Sequence, residues 1–259
     1  MAEICKNCTG EIALNFCPNC GQKKSKRIDK TYIKDEIQYT LLHMNKGFFY
    51  SLKNLLKAPG TTAREYLEGN RVNHYKPILL VFVISGLSAF ISHTFIHPEV
   101  VLESFNQPNN VLTNPDFNNF IYKYQSLIML ASTPLMAFFT WLFFKKWGYN
   151  YYENIVINAF YFACLQTLSI IIILPIQYLL RSDPFLFLII PTVLTFILLI
   201  GVTLWFYIDL YKNKSAGDVI VRLLFLALFM VVLYVLVIIA VVVISRIMGI
   251  DPRTIFPTS

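Results

Sequence analysis

The pattern of apolar and polar positions changes character at Lys76. Before it, charged and apolar residues interleave as in soluble sequence; after it, one long apolar run follows another. A helix needs about 20 mostly apolar residues to cross the hydrocarbon core. Stretches near 77-96, 127-144, 155-180, 185-210 and 219-245 meet that requirement. The pattern therefore predicts an all-α polytopic membrane protein with about five transmembrane helices. Pro191 predicts a kink in the fourth, and Pro175, Pro184 and Pro191 leave open a re-entrant segment within 175-191.

In the head, Leu41, Leu42, Phe48, Phe49, Leu52, Leu55 and Leu56 fall largely on one face at helical spacing, with His43, Lys46, Lys53 and Lys57 at the margins. Thr31 suits the N-cap of this segment, Asp35 and Glu36 its first turn, and Gly47 a bend. It reads as an amphipathic helix on the membrane surface or packed against the bundle. Pro59-Gly60 ends it, and Thr62 with Glu65 has capping-box spacing for a short helix that stops at Gly69. Arg71, His74, Tyr75 and Lys76 precede Pro77, where basic and aromatic side chains anchor a span in the headgroups. The expected organisation is a knuckle over 1-24, a basic connector with interfacial helices over 25-76, and a transmembrane bundle over 77-259.

Composition sharpens this picture. The chain is 56% hydrophobic and only 14% charged, with a mean hydropathy of +0.56, so much of its apolar surface must face lipid. The net charge of +7 is concentrated in the head, where 13 basic residues stand against 7 acidic ones. The run Lys23, Lys24, Lys26, Arg27 and Lys30 leads toward a membrane, which favours the anionic inner leaflet over nucleic acid as its partner. The N-terminus has cysteines and charges where a signal peptide needs an apolar stretch, so the first span is expected to be uncleaved.

The most specific motif is the pair Cys5-x-x-Cys8 and Cys17-x-x-Cys20. Two such turns can present four thiolates to one tetrahedral ion, and the alternation of Ile12, Leu14 and Phe16 suits a short strand between them. The expected ligand is one structural zinc ion, with iron as the minor alternative. Two disulfides would require an oxidising compartment, and a redox motif would stand alone at a helix start. Four sulfurs close the coordination sphere, so catalysis at the metal is not expected. Cys164 lies within an apolar run and reads as a small core residue.

Together with Cys20-Gly-Gln22, the segments Lys46-Gly-Phe48, Pro59-Gly-x-Thr62, Arg64-Glu-Tyr-Leu67, Gly69, Arg71-Val72, Tyr75 and Pro77 resemble an uncharacterised bacterial domain-of-unknown-function family of zinc-ribbon membrane proteins. The resemblance covers roughly the first third of the chain. It carries no activity. It implies that the stretch from Pro59 to Tyr75 is the signature at the cytosolic face, with Arg64, Glu65, Arg71 and Tyr75 as the interaction surface. The competing reading makes Arg64 and Glu65 solvated helix charges and Arg71 a lipid anchor.

Between the first two spans lie Glu99, Glu103 and Asp116 against Lys123. Lys145-Lys146, and Lys212, Lys214 and Arg222, mark the next loops of the opposite kind. The positive-inside rule then puts the N-terminus in the cytosol and the Ser259 end outside, which for a bacterial chain means the inner membrane. Asp209 and Arg181 sit at span ends, within reach of headgroups. His93 and His97 have metal-binding spacing, but Glu99 is their only acidic neighbour, so interfacial packing is favoured. Asn158, Gln166 and Gln177 fall inside the third span as interhelical hydrogen-bonding groups or, alternatively, a polar path.

No catalytic constellation or internal repeat is visible. The expectation is a non-enzymatic membrane protein with lipid and a protein partner or a second copy as its contacts, and no small-molecule substrate identified. The alternative is a small transporter with a polar path through the bundle.

Overall fold

The computed structural model describes residues 3–24, 28–30, 32–33, 47–98, 101 and 115–247. Strands β1 (Glu3–Ile4) and β2 (Glu11–Ile12) pair antiparallel, Glu3 opposite Ile12 and Ile4 opposite Glu11. Two short helices follow, α1 (Phe48–Leu55) and α2 (Pro59–Glu68). Then come α3 (Pro77–Ile91), α4 (Pro115–Phe144), α5 (Tyr151–Leu180), α6 (Pro184–Leu210) and α7 (Ala216–Ile247). α3 widens into a π turn over Ser92–Ile96 and closes at His97, whose φ is 52°.

Five spans of the described chain are long and apolar enough to cross a membrane: Pro77–Ile96, Tyr124–Trp147, Tyr151–Leu180, Pro184–Leu210 and Ala216–Ala240. They coincide with the five apolar runs and extend most of them at their ends. Prolines set several of the starts: Pro59, Pro77 and Pro184 each occupy the first turn of a helix, where the missing N–H costs nothing. α5 begins at a capping box, Asn150 accepting from the Glu153 amide while Glu153 accepts from the Asn150 amide. α5 and α6 run on through Pro175 and Pro191, so the segment 175–191 consists of two long helices joined by a short turn and is not re-entrant.

The start of α3, the end of α4, the start of α5, the end of α6 and the start of α7 share one face of the bundle, and the head packs there. α1 and α2 lie against α5 and α6. Tyr66 meets the Phe160 ring at 5.3 Å, and the Cys164 thiol donates to the Leu55 carbonyl at 3.7 Å. For its described part, Phe48–Leu55, this favours packing against the bundle, since Leu55 is buried in the same core as Phe160 and Val156; Phe49, expected on the same face, is 82% exposed. Thirty residues rise about 45 Å, more than the ~30 Å of hydrocarbon. The surplus of α5 lies at its N-terminal end, where α1 and α2 cover it.

One local expectation is corrected. α2 begins at Pro59, before the expected box, and Thr62 lies within the helix with its hydroxyl on the Ala58 carbonyl. Glu65 is exposed and caps nothing. Near residue 30, Asp29 accepts from the Tyr32 amide at 2.9 Å and so caps that turn. Gly69 does end α2, with φ 117° in the left-handed region that glycine alone adopts without strain. Lys26, Arg27, Thr31, Asp35, Glu36, Leu41, Leu42, His43, Lys46, Glu99, Glu103 and Ser259 lie outside the described residues.

Candidate functional site

The two Cys-x-x-Cys turns are near copies of each other. The Cys5 amide donates to the Gly10 carbonyl and the Cys17 amide to the Gln22 carbonyl; the Thr9 and Gly21 amides close back onto the Cys5 and Cys17 carbonyls. Thr9 and Gly21 occupy the same left-handed position, one residue after the second cysteine. Folded this way, the turns gather the four Sγ atoms within 4.8 Å of one another. Cys5 lies 3.7 Å from Cys20, and Cys8 lies 3.5 Å from Cys17. Sulfurs about 2.3 Å from a tetrahedral centre stand about 3.8 Å apart, so the cluster has the dimensions of a four-thiolate metal site. All five cysteines are free, and among the described residues no other group of three or more ligating side chains comes together.

The local dipoles prepare part of this site for a cation. The Asn7 side chain, followed by the Gln22 amide, holds Cys20 down to about 6. Cys8 is pulled down by the Gly10 amide, yet crowding by the Cys20 and Cys17 thiols leaves it up at about 11. A bare cluster therefore keeps protons that a divalent ion must displace. Asn7 also accepts from Asn73 Nδ2 at 2.6 Å, tying the knuckle to the strand of chain that enters α3.

The second constellation is the crossing of α2 and α6. Gly60 packs on the α6 backbone at Phe206, Asp209 and Leu210, where any β-carbon would collide with main-chain atoms. Asp209 accepts from the Thr61 amide at 2.6 Å and the Thr61 hydroxyl at 2.7 Å. In return Arg64 donates to the carbonyls of Asp209 (3.3 Å) and Leu210 (3.1 Å). Each helix thus receives the charge its open end favours: a carboxylate at the N-terminus of α2, a guanidinium at the C-terminus of α6.

The four residues expected to form one interaction surface are consequently divided. Arg64 and Tyr75 are buried, at 8% and 6% exposure. Arg71 lies 4.6 Å over the Tyr32 ring, and its Nε donates to the Tyr66 carbonyl. Glu65 alone is exposed. Beside them the buried Ser51 hydroxyl accepts from the Tyr75 amide at 2.8 Å and sits 3.4 Å from His74 Nδ1. His74 is enclosed by Tyr50, Tyr66 and Phe160, its Nε2 has no partner, and burial pushes it down to about 4.

Of the intramembrane polar group, Asn158 is fully buried and donates to the Thr140 hydroxyl of α4 and the Asn154 carbonyl, each at 2.8 Å. Gln166 is buried and Gln177 half-buried. The histidine rings of His93 and His97 stand 6.1 Å apart, edge to face. Two groups were missed at the sequence level. Asp209 was read as a headgroup contact, and nothing local marks it as the cap of a helix 148 positions earlier. The Asn150-Tyr-Tyr-Glu153 box, by contrast, has the capping spacing in plain view.

Residues 45–89 match the model of a family described as a protein of unknown function, DUF3667. The match covers α1, α2 and most of α3, the part of the chain that carries Gly60, Thr61, Arg64 and His74. No curated protein and no solved structure matches the chain.

Proposed function

We propose that this is a non-enzymatic protein of the bacterial inner membrane whose knuckle holds a structural zinc ion and docks a protein partner, or a second copy, on the cytosolic side. The observation that carries this reading is the surface of the knuckle. Leu14 is 81% exposed, Ile4 61% and Phe16 58% on a module of about twenty residues whose four sulfurs face inward. Large apolar side chains left in water on so small a unit favour an interaction surface. A four-thiolate sphere leaves zinc no open position, which favours a structural role. Zinc would supply most of the folding free energy of the knuckle. The basic loop residues Lys145, Lys146, Lys212 and Lys214 lie on the same face as the head, which supports a cytosolic N-terminus.

The test is cross-linked copurification from native membranes with three chains: wild type, Cys5→Ser/Cys17→Ser, and Leu14→Glu/Phe16→Glu. The cysteine variant loses metal, measured by elemental analysis, and its partners. The glutamate variant keeps the metal and loses the partners. An unchanged partner list in both variants refutes docking, and stoichiometric zinc in the cysteine variant refutes the metal assignment.

A further inference from the structure

An open pocket of about 530 Å³ lies where the end of α4 meets the start of α7, lined by Phe143, Trp147, Asp218, Val221, Arg222 and Phe225. It shares the head-side face of the bundle but none of the knuckle. Its chemistry is graded. Asp218 and Arg222 both line it, four residues apart on one helix, hence about 6 Å along the axis. Val221 and Phe225, 50% and 59% exposed, continue along the lipid-facing surface of α7. Trp147 lies against Arg222, as an indole does at a headgroup boundary.

Arg222 is fixed in place. Its Nη1 donates to the Phe143 carbonyl, and its guanidinium lies 4.4 Å over the Trp147 ring. No ion pair joins it to Asp218, and its remaining N–H groups have no partner among the described residues. A carboxylate and a guanidinium one turn apart, unpaired and open to the same cavity, form a dipole that a single-charge ligand satisfies at one end only. The matching ligand carries a phosphate and a hydrogen-bonding ammonium joined by a two-carbon link, with an apolar tail.

We infer that this pocket binds a phospholipid with a primary-amine headgroup, of the phosphatidylethanolamine type. Its phosphate sits on Arg222, its ammonium on Asp218, and an acyl chain lies along Phe143, Val221 and Phe225. A choline headgroup has no N–H to offer Asp218, and a glycerol headgroup has no positive charge. The site therefore discriminates by the carboxylate, through charge-assisted hydrogen bonds that a quaternary ammonium does not make.

The experiment uses the full chain purified in a neutral detergent and an equimolar mixture of dioleoyl phosphatidylethanolamine, phosphatidylcholine and phosphatidylglycerol, with bound lipid counted by native mass spectrometry. Wild type retains the ethanolamine lipid over the choline lipid by about tenfold. Asp218→Asn, at an exposed position that leaves the fold intact, brings the two to parity. Val221→Trp, which fills the pocket from the lipid side, lowers the ethanolamine lipid to the same level while the melting temperature stays unchanged. Equal retention of the two lipids by wild type overturns the proposal, as does an unchanged preference in Asp218→Asn. Preferential retention of phosphatidylglycerol overturns it too, since that is the signature of general attraction to the basic loops.

Discussion

α5 and α7 are two apolar helices of nearly equal length, 30 and 32 residues, with opposite surroundings. From Glu153 to Cys164 every side chain of α5 is buried, around the full circumference of the helix. Among the described side chains of α7 only Val219, Leu223 and Leu226 are buried, a single stripe at helical spacing. Within their most apolar windows 56% of α5 is buried against 12% of α7. Hydropathy does not distinguish them and in fact ranks α7 higher, 3.2 against 2.1. What separates them is the polar content. α5 buries Glu153, Asn154, Asn158 and Gln166 inside protein, where Asn158 bonds to Thr140 of α4 and Glu153 and Asn154 bond to Asn150 at the helix start, whereas α7 presents mostly hydrocarbon to hydrocarbon.

The largest effect expected from this contrast is at Phe160, which is fully buried between Tyr66 and His74. Phe160→Ala costs about 4 kcal/mol, read as a fall in thermal midpoint in detergent. Gly60→Val breaks the cover over α5 by pushing α2 off the α6 backbone, at roughly 3 kcal/mol. Limited proteolysis then cuts between residues 56 and 76 in the variant and not in wild type. Removing either charge of the crossing, by Arg64→Ala or Asp209→Ala, costs about 2 kcal/mol, and the double variant costs less than the sum because both act on one junction.

The buried histidine gives the same region an acid sensitivity that α7 lacks. The folded-state value of His74, about 4, lies below its ordinary value of 6.5. The stability it contributes is therefore full above pH 6.5 and is lost as the pH falls toward 4. Roughly 2 kcal/mol disappears between pH 7 and pH 5, and His74→Phe flattens that part of the stability profile. The smallest effect is on the other helix. Leu228→Ala, at a position 60% exposed, changes stability by less than about 0.5 kcal/mol. A cost like that at Phe160 would mean that another surface covers α7.

Much of this architecture was legible in the chain. Each apolar run became a helix at the expected place, because a bilayer imposes length and composition on any segment that crosses it. The cysteine pairs came together as their spacing implies, since each turn is closed by hydrogen bonds within five residues. The reading failed where partners are remote. Thr62 and Glu65 have capping-box spacing, but α2 takes its N-terminal acceptor from Asp209, and Pro59 starts the helix four residues sooner. Arg64 and Tyr75 looked like surface residues beside a membrane; Arg64 is buried on the end of α6 instead, and Tyr75 against Phe48 and Ser51 of α1.

By itself the sequence determined the number and placement of the spans and the grouping of four thiols, because both depend on composition and spacing within one stretch of chain. Only the tertiary structure decided which apolar helix is sheathed in protein and which is left to lipid. It also turned a Pro-Gly-Thr-Thr-x-Arg segment into a clasp on the end of α6. These are matters of contact across 148 positions, where backbone meets backbone at Gly60 and the open ends of two helices exchange opposite charges.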